Sequence, residues 1–471
     1  MQKRNNCSCS TLLINDTIAV ANSTLYTLHY QEMILEDYLR RDAELYADKT
    51  AVVCNGEELS YSALYQRVGQ HVETLRANGV QAGQAVVFRA SQDIDFLVHY
   101  FAIHILGAVA VPLECDVPEE RFHDICRLVD GATIPEGTAD ILFTTGTTGR
   151  SKGVMISHRT IVADAENLID GQLFSHDLVF IICGPLNHIG SLSKIYPIIL
   201  LGGTLYLLEG MKNMEELFRA FDYPCQKIAT FMVPASVRML LQFGEKRLRQ
   251  YVDKIDFVEM GGAPLPPSDQ RLLCDTLPKS RLYNTYASTE TGIICTYNFN
   301  DGVCTPGCLG RPMRHSRVFI SDDGRVACQG PTLMTGYVGD EEKTREVLHD
   351  DTVFTADNGE ISADGMLFLS GRKDDVINIG GYKVAPTEVE DVALSFPGIK
   401  DCICICVSNP MFGNALKLLY QVAPDTTVAK RELAQYINTH LESYKVPRLY
   451  EQVTEVKRTY NGKLDRKAYH L

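Results

Sequence analysis

Apolar positions along this chain fall into short unbroken runs. Ala85–Phe88, Asp140–Phe143, Leu178–Ile182, Leu205–Leu208, Thr230–Val233 and Phe257–Met260 are rich in Val, Ile, Leu, Met and Phe, and each is followed by a loop. Continuous short runs of this kind predict strands buried on both faces, as in parallel sheets. Segments with helix-like spacing follow them, so strand and helix alternate and a layered α/β architecture is expected. The polar, Gly-punctuated stretch Gly371-Arg372-Lys373-Asp374-Asp375 interrupts the alternation. It suggests a large N-terminal domain over residues 1–373, built of layered α/β subdomains, and a small α+β C-terminal domain over 374–471. The small unit reads as a helix near Pro386–Leu394, a turn at Pro397-Gly398, a Cys-bearing strand and a helix near Ala429–Ser443.

Composition narrows the function classes. The length of 471 residues corresponds to roughly three units at ~150 residues per domain. Net charge is −14, and no Lys/Arg-rich face is apparent, which argues against a general nucleic-acid binder. From Asp375 onward there are 12 Lys and Arg against 11 Asp and Glu, a balance of +1 that leaves −15 for the first 374 residues. The 15 cysteines are odd in number and scattered, which reads as free thiols in a reducing cytosol rather than a disulfide framework. Cys402, Cys404 and Cys406 alternate with Ile403 and Ile405, so they share one strand face and read as small-apolar packing. Cys304 and Cys308 lack the second pair that a tetrahedral metal site needs. No run reaches the ~18–20 apolar residues of a membrane span. The nearest, Ile195–Leu208, is broken by Gly202-Gly203. A soluble, cytoplasmic protein is the expectation.

The densest chemical signal is Phe143-Thr144-Thr145-Gly146-Thr147-Thr148-Gly149-Arg150-Ser151-Lys152-Gly153-Val154. An apolar strand runs into hydroxyls and glycines and ends on Lys. Glycines bring backbone N–H groups close to an anion, and Thr and Lys side chains add donors, which suits a polyphosphate. The spacing is not that of a Walker A loop, because Lys152 is followed by Gly. A flexible polar turn is the plain alternative.

These residues resemble the phosphate-binding signature of the adenylate-forming superfamily, which includes acyl- and aryl-CoA synthetases and nonribosomal adenylation domains. Further segments resemble that family's motifs in the same order. They are Phe101-Ala102-Ile103 through Gly107-Ala108-Val109-Ala110-Val111-Pro112, Pro185-Leu186-Asn187-His188-Ile189-Gly190, Gly261-Gly262-Ala263-Pro264-Leu265, Tyr286-Ala287-Ser288-Thr289-Glu290, Phe354-Thr355-Ala356-Asp357, Gly371 to Glu390, and Asn461-Gly462-Lys463. The match runs from about residue 35 to the end. Departures are small: Thr145 stands for a usual Ser, Ser151 for a frequent Pro, and Ala287 and Ala356 each for a Gly. Alanines there need a negative φ or local adjustment. Pro118–Gly137 reads as a connection shortened relative to the family, which would trim the sheet on that side.

The resemblance implies a two-step, AMP-forming ligase that uses ATP, Mg²⁺ and CoA. A carboxylate attacks the α-phosphorus of ATP, and a thiol then displaces AMP to give a thioester. By family position, Thr144, Thr145, Gly146, Thr147, Thr148, Gly149 and Lys152 hold phosphates, and Gly262, Ala263 and Pro264 flank adenine, which Tyr286 covers. Asp357 binds the ribose, assisted by Arg372. Thr289 contacts the α-phosphate, and Glu290 is the Mg²⁺ ligand, a hard oxygen donor. Lys463 offsets charge developing on the α-phosphoryl oxygens. His188 gates the acid pocket and is not a general base, since a carboxylic acid is already ionised at neutral pH. Asp374 is the hinge of a mobile cap. Gly380 and Gly381 line a passage for the pantetheine arm, and Lys383 meets phosphate.

Asn187-His188-Ile189-Gly190-Ser191 carries no carboxylate for an α-amino group, which favours a fatty or aromatic acid over an amino acid. The acid pocket is expected near His188–Ser191, Phe231–Ser236 and Met260–Ala263, among small or apolar side chains. Two other readings stay open: a stand-alone enzyme that loads an acyl carrier protein, and a nucleotide-binding scaffold without activity. A homodimer is compatible with all three.

Overall fold

The computed structural model describes residues 33–144, 152–211, 213–263, 265–372, 377–379, 382–409, 413–424, 426–441, 443–459 and 464–469. All six apolar runs are strands, with ends that differ by up to three residues: Ala85–Arg89, Thr138–Thr144, Leu178–Ile182, Thr204–Leu207, Lys227–Met232 and Ile255–Met260. They are divided between two sheets. In the larger sheet, Thr50–Cys54, Thr204–Leu207, Leu178–Ile182, Lys227–Met232, Ile255–Met260 and Arg281–Ser288 are neighbours, each parallel to the next. Gly292–Asn298 then pairs antiparallel to Arg281–Ser288. Parallel strands bring their C-terminal ends to one edge, so the loops after Ile182, Met232 and Met260 emerge together.

The second sheet has five strands, in the order Gly336–Tyr337, Lys152–Ser157, Thr138–Thr144, Val109–Leu113, Ala85–Arg89. Thr138–Thr144 and Lys152–Ser157 form an antiparallel hairpin with Thr144 opposite Lys152. The segment Pro118–Gly137 is more than a shortened link. Glu119–Asp130 is a helix whose Ile125 and Val129 pack beneath Val109, Val111 and Ile141, a full crossover between parallel strands. The apolar stretch once nearest to a membrane span divides into the helix Ile195–Leu201 and the strand Thr204–Leu207, with Gly202 at φ +68° ending the helix. Both pieces are core. Among the described residues no helix is long and apolar enough to cross a membrane.

Between the sheets lie the helices Leu35–Leu45, Ile94–Ile105, His158–Gln172 and Ile195–Leu201, whose buried side chains join those of both sheets in one cluster. Ile94–Ile105 is apolar around most of its circumference and correspondingly buried. Two of these helices start on side-chain caps: Asp93 accepts the Phe96 N–H at 3.0 Å and Ser157 that of Thr160 at 3.1 Å.

A charged bridge crosses this core. His104 is fully buried, with Nδ1 2.7 Å from Glu36 Oε1 and Nε2 3.1 Å from Asp140 Oδ1. Tyr100 donates its hydroxyl to the other Asp140 oxygen at 3.0 Å. With a carboxylate at each ring nitrogen, the imidazole carries both protons. Burial alone would lower its pKa, but Glu36 and Asp140 outweigh that and raise it to about 10. The bridge joins the helices Leu35–Leu45 and Ile94–Ile105 to the strand Thr138–Thr144.

A three-stranded sheet lies toward the C-terminus. Ile399–Asn409 pairs antiparallel with Gly413–Val422, and Leu449–Gln452 is parallel to the latter. Cys402 and Cys404 are buried against Val389, Leu433 and Ile437 of the helices Pro386–Leu394 and Lys430–His440. Ile403 and Ile405 face the opposite way, onto Val456. The alternating cysteines therefore fill space, and the strand is covered on both faces.

His104→Gln leaves Glu36 and Asp140 buried without a cation between them. The expected loss is about 3–5 kcal/mol of unfolding free energy, measured by urea denaturation. The wild-type contribution is complete below the free-histidine pKa of about 6.5 and declines as pH rises toward about 10. The stability gap between wild type and variant should therefore narrow across that window.

Candidate active site

The hairpin of the smaller sheet fixes the first part of the site. Gly153 sits where no side chain fits: a Cβ there would lie 2.6 Å from Val338 and 2.9 Å from both Ile141 and Phe143. That close approach aligns the short strand Gly336–Tyr337 beside Met155 and Val154. Lys152 Nζ consequently stands 5.2 Å from the centre of the Tyr337 ring. Tyr337 donates its hydroxyl to Glu290 Oε1 at 2.9 Å. Burial, with Glu290 adding to it, pushes the Tyr337 phenol far up, so it stays a donor. Glu290 Oε2 has no partner among the described residues. A carboxylate oxygen with no described partner, on the residue that Tyr337 links to Lys152, fits Mg²⁺, which takes few protein ligands and keeps its waters.

The second part lies at the end of Arg281–Ser288. Tyr286 donates its hydroxyl to Asp357 Oδ2 at 2.7 Å. Burial and that carboxylate hold the Tyr286 phenol well above its usual pKa. After Tyr286 the chain turns through Ser288–Thr291, held by reciprocal bonds: Ser288 N–H to Thr291 Oγ1 at 3.2 Å and Thr291 N–H to Ser288 Oγ at 3.1 Å. Thr332 anchors the turn by donating to the Thr291 carbonyl at 2.8 Å. Thr289 and Glu290 are thereby presented at its tip. Neither Ala287 nor Ala356 adopts positive φ, so alanine is accommodated without backbone strain.

On the third side, His188 caps the short helix Ile189–Leu192, its Nδ1 accepting the Gly190 N–H at 3.2 Å. A Cβ at Gly190 would stand 3.0 Å from the Phe231 ring, and one at Gly261 would stand 3.3 Å from it. Phe231 is therefore wedged between the loop bearing His188 and the loop Gly261-Gly262-Ala263. Gly262 has φ +81°, a conformation that favours glycine.

Thr145, Gly146, Thr147, Thr148, Gly149, Pro264, Asp374, Gly380, Gly381 and Lys463 lie outside the described residues, as do the side chains of Arg372 and Lys383. Residues 443–459 and 464–469 are described. Arg458 forks onto Asp401, with Nη2 2.8 Å and 2.7 Å from its two oxygens, and Arg466 reaches the buried Glu390 at 2.9 Å. Arg238, from the helix Pro234–Leu248 of the large unit, comes within 3.7 Å of the same Asp401.

The described site thus holds two contacts: Asp357 with Tyr286, and Glu290 with Tyr337, whose ring Lys152 approaches. Tyr337 was not anticipated. It belongs to no motif in the chain, and nothing in its neighbourhood distinguishes it from an ordinary core tyrosine.

The model of the "AMP-binding enzyme" family matches residues 39–134 and 129–338, and that of the "AMP-binding enzyme C-terminal domain" matches 388–463. The chain belongs to the AMP-binding enzyme family, within the adenylate-forming superfamily. It is similar to 2-succinylbenzoate–CoA ligase of Bacillus cereus, at 24% identity over 92% of this chain and 97% of that protein. It is also similar to tyrocidine synthase 2 of Brevibacillus parabrevis, at 27% identity over 96% of this chain, although it spans only 14% of that protein's length. ATP-bound MatB from Rhodopseudomonas palustris shares the fold, with a TM-score of 0.82 over 93% of this chain and 99% of that one, at 23% identity.

Tyr286→Phe removes the hydrogen bond that fixes Asp357. A bond to a charged acceptor contributes about 1.5–3 kcal/mol, so nucleotide affinity should fall at least about tenfold. Isothermal titration with ATP checks this; unchanged affinity would separate Asp357 from nucleotide binding.

Proposed function

We propose that this chain activates a fatty or aromatic carboxylic acid with ATP and passes the acyl group to CoA. Supporting this are two carboxylates each held by a tyrosine, Asp357 by Tyr286 and Glu290 by Tyr337, with Lys152 over the Tyr337 ring, together with family membership and similarity to a CoA ligase.

In this reading Asp357, fixed by Tyr286 and assisted by Arg372, accepts from the ribose hydroxyls. Gly262, Ala263 and Pro264 pass along adenine, whose face Tyr286 covers. Thr144 to Gly149 and Lys152 surround the phosphates, and Thr289 meets the α-phosphate. Mg²⁺, when bound, offsets phosphate charge, and Glu290 is the residue that would hold it. The acid, ordered beside His188, attacks the α-phosphorus through its carboxylate oxygen, and pyrophosphate leaves. Lys463 offsets the charge gathering on the α-phosphoryl oxygens. The unit 374–471 then turns about Asp374, withdrawing Lys463 and bringing Gly380, Gly381 and Lys383 to the mouth. The thiol of CoA attacks the adenylate carbonyl, and AMP leaves. All thirteen cysteines among the described residues are free, which supports a cytoplasmic location.

The acceptor assay is direct. With ATP, Mg²⁺, CoA and a panel of acids, at least one acid should release pyrophosphate and form a thioester. Release with no acid would end the catalytic reading, and transfer only to a phosphopantetheine-bearing carrier protein would replace CoA as acceptor. Lys463→Ala should slow adenylate formation by at least about 100-fold, the scale of a lost oxyanion donor. Thioester formation from supplied acyl-adenylate should continue at the wild-type rate. Equal loss in both steps would contradict the turning cap.

A further inference from the structure

The acid pocket was expected to be lined by small or apolar groups, yet a buried ion pair stands next to the segments expected to line it. Lys194 Nζ lies 2.8 Å from Glu259 Oε1, and each side chain is 1% exposed. The ammonium is 5.1 Å from the centre of the Phe231 ring, the ring wedged between Gly190 and Gly261. Lys194 follows the His188–Ser191 segment by three residues, and Glu259 precedes Gly261 by two. Both charges therefore come from the two loop-bearing elements that frame the acid side.

The pair is incompletely matched. An ammonium has three N–H donors, and Lys194 donates one, to Glu259. Glu259 Oε2 is buried with no hydrogen-bond partner among the described residues. Stability does not account for such a pair, because well-packed apolar residues in its place are commonly as stable or more so. What remains is a neutral site with spare donors beside one spare acceptor.

We propose that Lys194 and Glu259 read the end of the acid remote from its carboxylate, and that the acid carries a hydroxyl there. The hydroxyl oxygen accepts from Lys194 Nζ and its proton is donated to Glu259 Oε2. A methyl terminus would leave both groups unmatched in the dry wall, the situation that makes polar pockets discriminate strongly. A second carboxylate could meet Lys194 but would stand against the charge of Glu259. The inference rests on the acid-activating reading above and names the substrate's distal group.

The test uses the full chain with ATP and Mg²⁺, and matched acids, aliphatic and aromatic, that end in methyl, hydroxyl or carboxyl. The measured quantity is kcat/KM for pyrophosphate release. The hydroxyl acid should exceed its methyl counterpart by at least about tenfold. The double variant Lys194→Met with Glu259→Leu, which leaves no lone buried charge, should erase or reverse that ratio. Glu259→Gln keeps the shape and an acceptor for Lys194 while leaving a net positive wall, and should move preference toward the carboxyl acid by a similar factor. Circular dichroism and melting curves confirm that each variant is folded; should the double variant not fold, the wild-type ratio and the Glu259→Gln shift decide. Equal use of methyl and hydroxyl acids by wild type, preference for the carboxyl acid, or ratios unmoved by either variant would overturn the assignment while leaving acid activation intact. No pyrophosphate from any acid would instead overturn the activation reading itself.

Discussion

The body of this protein depends on one buried cation. Imidazolium His104 is held by Glu36 on one side and Asp140 on the other, and without it two carboxylates would face each other in an apolar layer between sheets. Asp140 lies in the strand that ends at Thr144, where the glycine-rich loop begins. The interaction that places a cation between the two buried acids therefore also pins the base of the hairpin carrying that loop. A phosphate cradle works only if its backbone donors are aimed before the anion arrives. Here the two strands that flank the loop are fixed from below, by an ion bridge to two helices, and from the side, by the missing Cβ at Gly153.

The site repeats the same logic on a smaller scale. Each of its two described carboxylates is held by a tyrosine hydroxyl, Asp357 by Tyr286 and Glu290 by Tyr337. A phenol pushed upward by burial remains a donor at any physiological pH, so it orients a carboxylate without neutralising it. Glu290 keeps its second oxygen without a partner among the described residues. Lysine partners would have cancelled the charge needed for a divalent cation. The placement of Lys152 on the ring of Tyr337, rather than on Glu290 itself, preserves that separation.

Much of this could be read from residue order. Unbroken apolar runs marked the buried parallel strands, because strands covered on both faces show no alternation. Family membership was legible because the glycine-rich loop, Tyr286, Glu290 and Asp357 stand in ordered motifs. The alternating Cys402, Cys404 and Cys406 were correctly read as packing, since period two fixes a face. What escaped was everything made by residues distant in sequence. Glu36, His104 and Asp140 meet only after two helices and a strand have packed, and no local pattern couples them. Tyr337 and the pair Lys194–Glu259 are likewise products of tertiary register. The helix Glu119–Asp130 was missed because its polar, charged surface hides a narrow apolar stripe of Ile125 and Val129.

Asp401 is shared. Arg458, close in sequence to Lys463, holds it with a two-pronged grip, whereas Arg238 of the neighbouring helix touches it across 3.7 Å. Arg238 also donates to the neighbouring Lys400 carbonyl at 3.5 Å. Partly solvated contacts of that length are worth less than about 1 kcal/mol. The Arg238–Asp401 contact therefore adds little to what holds the small sheet against that helix.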